Sequence, residues 1–322
     1  MSFQNVKALS EPSLLAVKGV VGVGGSKEKI RVYVEGSPGF DVLPRSIAGY
    51  DIEIIKVGHI RALSMLPLNR EQELAVALGG ERTTRIRPVV GGTSIGHSAI
   101  TAGTLGSAIE LGGTLYGLSN NHILAAVSTL QYARASIGDV ILQPGRADGG
   151  IDPDDVIGTL AKYVPLNESG TNLVDCAIFK PTSPDMLSSD ILGLAPFNGF
   201  REAVVGMSLI KSGRTSGISE GKVLDVDATM SVDYGNFTAV FRHQIVSEFM
   251  ASPGDSGSLA MDVEDYAAVS LIYAGSEYIS MHNHIGDVVD ALLAGSVYAS
   301  SASRLGLLSI PFGLAVVASL VI

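Results

Sequence analysis

From Ile86 onward the apolar residues come in short runs that glycine interrupts, as in Val89-Val90-Gly91-Gly92, Ala99 to Leu105 and Ala108 to Tyr116. This texture constrains the fold more than any other feature. Runs this short, bounded by turn residues, suit antiparallel strands of a barrel or a sandwich. Composition agrees: with 38 glycines, no tryptophan and 46% hydrophobic residues, the chain fits many short strands joined by glycine turns better than long helices.

At 322 residues the chain is long enough for two or three compact units, and it can bury a core without metals or disulfides. A net charge of −10 disfavours a phosphate-binding surface, so nucleic acid is not expected as a partner. Cys176 is the single cysteine, which excludes an intrachain disulfide. The first residues contain no apolar run of signal-peptide length, and a cytoplasmic location is expected. Leu305 to Ile322 is an almost uninterrupted apolar run after Arg304, at the lower edge of what spans a bilayer, and Ser309, Pro311 and Gly313 weaken it. A buried strand pair or a packing tail is the preferred reading; a membrane anchor is the alternative, and only this tail could supply it.

Residues 1–85 differ in pattern and charge and read as a small α/β module plus linker. A helix is expected from about Glu11 to Lys18, strands at Gly19 to Val23 and Ile30 to Glu35, a second helix starting over Leu43 to Ile47, and a half-buried strand over Tyr50 to Val57. Gly22-Val23-Gly24-Gly25-Ser26-Lys27 looks like a phosphate loop but has serine and lysine in the wrong order, so a glycine-rich hairpin is expected. Asn69 to Arg85, charged at both ends, reads as a linker.

Three stretches carry chemistry. The first is Ser252-Pro-Gly-Asp-Ser-Gly-Ser-Leu259, where glycines flank Ser256. A serine nucleophile needs a tight turn that presents its hydroxyl, and backbone N–H groups aimed at the oxyanion formed on attack. The N–H groups of Gly254 and Ser256 would converge in such a turn; an ordinary surface turn uses the same residues. The second is Gly117-Leu-Ser-Asn-Asn-His122-Ile-Leu-Ala125, a strand that ends in a polar turn with His122 leading into a short helix. The third is Asn172-Leu-Val-Asp175-Cys-Ala-Ile-Phe179, which puts one carboxylate inside an apolar strand. Burying an unpaired charge is costly, so Asp175 needs a committed partner, either His122 or backbone amides at the strand start. Cys176 points to the other face as an inert core thiol. His282-Asn283-His284 has a spacing that suits one strand face, yet no carboxylate or cysteine cluster lies nearby, so no metal site is expected. Gln131 to Tyr163 reads as a long polar excursion between strands, and Gly286 to Leu293 has helical periodicity.

The order His122, Asp175, Ser256 differs from that of subtilisins and of α/β-hydrolases, and Ser258 after Gly257 breaks the Gly-x-Ser-x-Gly elbow. Together with Gly96-His97-x-x-Ile100-Thr-Ala-Gly-Thr-Leu105, Leu118-Ser-Asn-Asn-His122, Val174-Asp175-x-Ala177-Ile178, Lys211-x-Gly213-Arg-Thr215-x-Gly217 and Gly254-Asp-Ser-Gly-Ser258, the chain from about Arg87 to Leu293 resembles the trypsin-like (chymotrypsin-fold) serine peptidases. Within them it is similar to the disulfide-free group that includes bacterial homologues and the plant narrow-leaf protein, whose leader domain residues 1–85 also resemble. Arg87-Pro88-Val89-Val90-Gly91-Gly92 is similar to the activation site of secreted trypsins, whose freed amino terminus pairs with the aspartate before the nucleophile, here Asp255. Pro88 would hinder that cleavage and the disulfides are missing, so a first barrel strand is the preferred reading.

The resemblance implies a mainly β fold: two six-stranded antiparallel β-barrels (chymotrypsin-like) preceded by a small α/β module. The first barrel would span 86–195 and carry His122 and Asp175. The second, 196–297, would carry Ser256 and end in a helix, with 298–322 as the apolar tail. It implies a cofactor-free serine endopeptidase acting on a peptide or protein substrate through an acyl-enzyme, with Ser256 as nucleophile, His122 as base, Asp175 as its orienting acid and Gly254 and Ser256 as oxyanion donors. Tyr273-Ala274-Gly275 would pair with the substrate, and Met250 would lie at the base of the primary specificity pocket, favouring a small or apolar side chain over lysine or arginine. The alternatives are a protease-like scaffold with weak or no turnover and a protease that cuts only itself, for example in the Asn69 to Arg85 linker.

Overall fold

The computed structural model describes residues 1–36, 43–63, 80–100 and 102–294. The N-terminal part holds helix α1 (Phe3–Leu15) and strands β1 (Val20–Gly25), β2 (Lys29–Val34), β3 (Ser46–Ile47), β4 (Tyr50–Lys56) and β5 (Arg61–Ala62). The middle part holds β6 (Val89–Gly91), β7 (Ser94–His97), β8 (Gly103–Thr104), β9 (Ser107–Leu111) and β10 (Thr114–Ser119). It continues with the short helix α2 (Asn121–Leu124), β11 (Val140–Leu142), β12 (Val156–Tyr163), β13 (Thr171–Asn172), β14 (Ala177–Pro181) and β15 (Leu187–Ile191). The last part holds β16 (Ser208–Gly213), β17 (Gly217–Asp233), β18 (Thr238–Glu248), β19 (Leu259–Asp262), β20 (Ala268–Gly275), β21 (Ile279–His284) and helix α3 (Ile285–Leu293). The architecture is mainly β.

Strands β16, β17, β18, β21, β20 and β19 pair in that order, each antiparallel to the next, and β19 pairs back onto β16. That ring closes the six strands on one another over part of their lengths and leaves stretches of β17 and β20 to pair elsewhere. Leu209, Val223, Ile245, Met250, Ala260, Val269 and Ile272 form its apolar cluster. The middle sheet runs β8-β7-β11-β12-β14-β10-β9. Because β8 and β9 are consecutive in the chain, its two ends meet: the Leu105 N–H donates to the Thr93 carbonyl and the Gly106 N–H to that of Leu118, both at 2.9 Å. Ile95, Leu105, Ile123, Leu124, Ile141, Ile157, Leu160 and Phe179 pack together there. A further cluster joins Ile109, Leu118 and Ile178 of this sheet to Ile210, Leu259 and Leu271 of the other and to Val288 and Leu292 of α3.

The N-terminal strands are not a free-standing sheet. Strand β1 pairs antiparallel with the long β17, Gly22 opposite Met230 and Val23 opposite Thr229, so β2, β4 and β3 extend the sheet of the last barrel. Charged groups clamp the junction: Lys7 lies 2.9 Å from Asp227, and Glu11 accepts the Thr229 hydroxyl at 2.8 Å while pairing with Arg242 at 3.1 Å. Buried Asp225 accepts the Gly25 N–H at 2.6 Å and the Tyr33 hydroxyl at 2.8 Å.

Several local expectations shift. The first helix begins at Phe3, capped by the Ser2 hydroxyl, because Phe3, Val6 and Leu14 give it a buried face. No helix starts over Leu43 to Ile47; Ser46–Ile47 instead pairs with Tyr50–Asp51 across a tight turn. The expected excursion from Gln131 to Tyr163 contains β11 and β12, whose apolar residues face the first barrel core between polar loops. Asp175 sits just before β14 rather than within a strand. Residues 69–79 of the expected linker and the apolar tail from Leu305 lie outside the described residues. Among the described residues no helix is long and apolar enough to cross a membrane.

Candidate active site

Residues from both barrels meet where β10 ends. Strand β10 delivers Asn120, Asn121 and His122 into α2, and the last turn before β14 delivers Asp175 beside them. The His122 Nδ1 lies 2.6 Å from Asp175 Oδ2, and the His122 backbone N–H donates to Asp175 Oδ1 at 3.2 Å. Both side chains are fully buried. With its Nδ1 hydrogen donated to the carboxylate, the imidazole presents a basic Nε2, and that atom has no hydrogen-bond partner here.

Asp175 is held from three further directions. The Tyr234 hydroxyl donates to its Oδ2 at 2.6 Å, its own N–H donates to Asn283 Oδ1 at 2.9 Å, and Asn120 Nδ2 donates to its carbonyl at 2.7 Å. Asn283 is fixed in turn by donating to Gln244 Oε1 at 2.8 Å. Burial, then the nearby Asp175 charge, pushes the Tyr234 and Tyr273 phenols well above their ordinary value, so Tyr234 stays a neutral donor.

The Ser252–Leu259 stretch forms a tight turn between the end of β18 and β19. Gly254 and Gly257 both adopt positive φ, 97° and 92°. Gly257 has no room for a side chain: a Cβ there would lie 2.1 Å from Ser119 Oγ and 2.3 Å from the Thr104 carbonyl. Thr104 fastens the turn, donating its N–H to the Ser256 carbonyl and its hydroxyl to the Gly254 carbonyl, each at 2.8 Å. These contacts set Ser256 against the strand ends that lead to His122. Its hydroxyl donates to the Tyr273 carbonyl at 3.4 Å rather than to His122. Among the described residues no acceptor pairs with the backbone N–H of Gly254 or Ser256.

Asp255, between them, is buried and accepts from Lys211 Nζ at 3.0 Å, from the N–H groups of Thr215, Ser252 and Ser216 at 2.8, 2.9 and 3.1 Å, and from the Ser216 hydroxyl. Burial works to raise its pKa, but Lys211, the Ser216 hydroxyl and the Ser252 N–H outweigh that and hold it below the ordinary carboxylate range. An internal ammonium thus neutralises Asp255. Val89–Gly91 is strand β6, paired with β15, and has no part in that neutralisation.

The sequence singled out Lys211 only as part of a motif, and it missed Tyr234 and Asn283. Asn283 stands between the two histidines for which no metal site is expected. His282 is instead buried between the Ser247 and Ser270 hydroxyls at 2.8 and 2.9 Å, and His284 contacts the Val226 carbonyl at 2.9 Å. Among the described residues there is no group of three metal-ligating side chains. Cys176 is buried, and burial followed by the Asp175 charge pushes its thiol far above the ordinary value. Met250 is buried in the interior cluster of the last barrel with Ala251 and Ile272, and Tyr273, Ala274 and Gly275 form the end of β20.

No family model matches the chain, and no curated protein does. Solved structures similar to it include a glutamic-acid-specific serine protease, 18% identical, with 63% of this chain and 97% of that one covered at a TM-score of 0.45. Thermobifida fusca Protease A is 18% identical over 63% and 95% at 0.46, and Nocardiopsis Protease is 16% identical over 63% and 95% at 0.45.

Proposed function

We propose that the chain is a serine endopeptidase in which His122, Asp175 and Ser256 act as a triad. The single observation that carries this is the fully buried His122–Asp175 contact of 2.6 Å, which leaves His122 Nε2 without a hydrogen-bond partner among the described residues. Ser256 would turn from the Tyr273 carbonyl to His122 and attack the scissile carbonyl. His122 would take the hydroxyl proton and pass it to the leaving amine, while Asp175 stabilises the imidazolium. The unused N–H groups of Gly254 and Ser256 are the donors for the oxyanion. Neutralisation by Lys211 keeps the Asp255 turn formed in the intact chain, so the reading requires no new amino terminus. The disulfide-free group named above remains the subgroup to which we assign it.

The test is labelling with a fluorophosphonate probe under denaturant-free conditions, with mass mapping of the adduct. The expected result is an adduct on Ser256 that is lost in Ser256→Ala and in His122→Ala. An adduct elsewhere, or equal labelling of His122→Ala, would refute the triad.

A further inference from the structure

The edge of β20 that a substrate would pair with is occupied by the chain itself. Strand β5 runs antiparallel to it, Ala62 opposite Ala274 and Arg61 opposite Gly275. The chain leaves the strand at Leu63, and Tyr273, the residue before Ala274 on β20, has the carbonyl that accepts the Ser256 hydroxyl. Leu63 is fully buried and shares one apolar cluster with Met250, Ala251, Val223 and Ile272. Its Cδ2 lies 3.5 Å from where a Cβ on Gly275 would stand. A strand added to a sheet edge gains affinity from its main chain and specificity from the pocket its side chain enters.

The strand is fastened upstream. His59 bridges Glu35 at 2.8 Å and Asp233 at 2.9 Å, the Ile60 carbonyl accepts the Asp233 N–H at 3.0 Å, and Arg61 lies 3.5 Å from Asp233. Val57, Ile60 and Ala62 are buried against Tyr273, Ala274 and Val127. Ser256 has no exposure and His122 almost none, so the hydroxyl is shielded from solvent in this arrangement.

We propose that Arg61-Ala62-Leu63 is an intrachain ligand of the substrate cleft, which keeps the intact protein latent and displays its specificity: an extended peptide with a leucine-like side chain in the primary pocket. The proposal rests on the peptidase reading above. A charged side chain in that pocket would lose its hydration without gaining a partner.

The experiment uses the full chain in three forms: wild type, Leu63→Asp and Leu63→Ala. Two quantities are measured on each: the rate of fluorophosphonate labelling at Ser256, and hydrolysis of a panel of Arg-Ala-X peptides ending in an aminomethylcoumarin amide, with X as Leu, Met, Phe, Ala, Lys or Glu. Losing the buried leucine from the strand is expected to speed labelling roughly ten- to a hundredfold in Leu63→Asp, with Leu63→Ala between. The panel should be cut fastest at leucine. Equal labelling rates in wild type and both variants, or preference for Lys or Glu, would overturn the proposal while leaving the peptidase reading intact. If Leu63→Asp loses its native circular dichroism, Leu63→Ala carries the comparison. Folded protein that is not labelled in any form removes the peptidase reading and this proposal with it.

Discussion

Lys211→Met leaves the Asp255 carboxylate buried without its cation. The pair lies at 3.0 Å with both side chains fully buried, and removing one partner of such a pair costs ~3–5 kcal/mol. Thr215, Ser216 and Ser252 would still donate to the carboxylate, which places the expected loss near ~3 kcal/mol. For a chain of 322 residues that corresponds to a fall in Tm of about 4 to 5 °C. The loss has a pH signature. In the wild type the Asp255 pKa is depressed, so its contribution is present above the ordinary carboxylate range and is lost as pH falls through the lowered value. In Lys211→Met burial acts without Lys211 to oppose it and raises that pKa, so the penalty is full at neutral pH and shrinks as acid protonates the carboxyl. Urea denaturation at pH 7 and pH 4 measures both, and Lys211→Met/Asp255→Asn should recover most of the loss at pH 7. A variant as stable as wild type at pH 7, or equally weakened at both pH values, would refute the assignment of Lys211 as the neutralising cation.

Three further outcomes are expected. Tyr234→Phe removes a 2.6 Å hydrogen bond to the Asp175 carboxylate, worth ~1.5–3 kcal/mol; Ser256 labelling should slow about tenfold or more while the far-ultraviolet circular dichroism is unchanged. Burial pushes His282 down to about 3, so the unfolded chain takes up its proton first. Its contribution is therefore full above ~6.5 and falls by about 1.4 kcal/mol per pH unit below that, roughly 3 kcal/mol between pH 7 and pH 4. Denaturant midpoints across that range should show a slope that His282→Gln, which still reaches both serines, reduces by that amount. Gly257→Ala combines a positive φ with a contact of 2.1 Å to Ser119 Oγ. It should abolish Ser256 labelling, and normal labelling would show that the turn is looser than described.

The parts of the molecule legible in the sequence are those encoded over a few residues. Glycine-punctuated apolar runs announce the strands, and the settings of Ser256, His122 and Asp175 are each local. What could not be read depends on register between distant segments. Lys211 reaches Asp255 across 44 positions, and Tyr234 reaches Asp175 across 59. Tyr234 has no local pattern that sets it apart, and the motif around Lys211 does not show which carboxylate it meets. Ser46–Ile47 and Arg61–Ala62 are too short to show any period, and each becomes a strand only because another edge is there to receive it. The apolar residues of β11 and β12 were hidden by the polar loops on either side of them.

The shared edge between β1 and β17 changes what cutting this chain would achieve. A cut between residues 63 and 80 would sever one covalent connection but leave the ladder from Gly22 to Met230, the Asp225 contacts and the Lys7 and Glu11 pairs in place. The two pieces should therefore travel as a single particle on size exclusion and part only in denaturant. Such a cut would keep the N-terminal piece as a subunit of the whole.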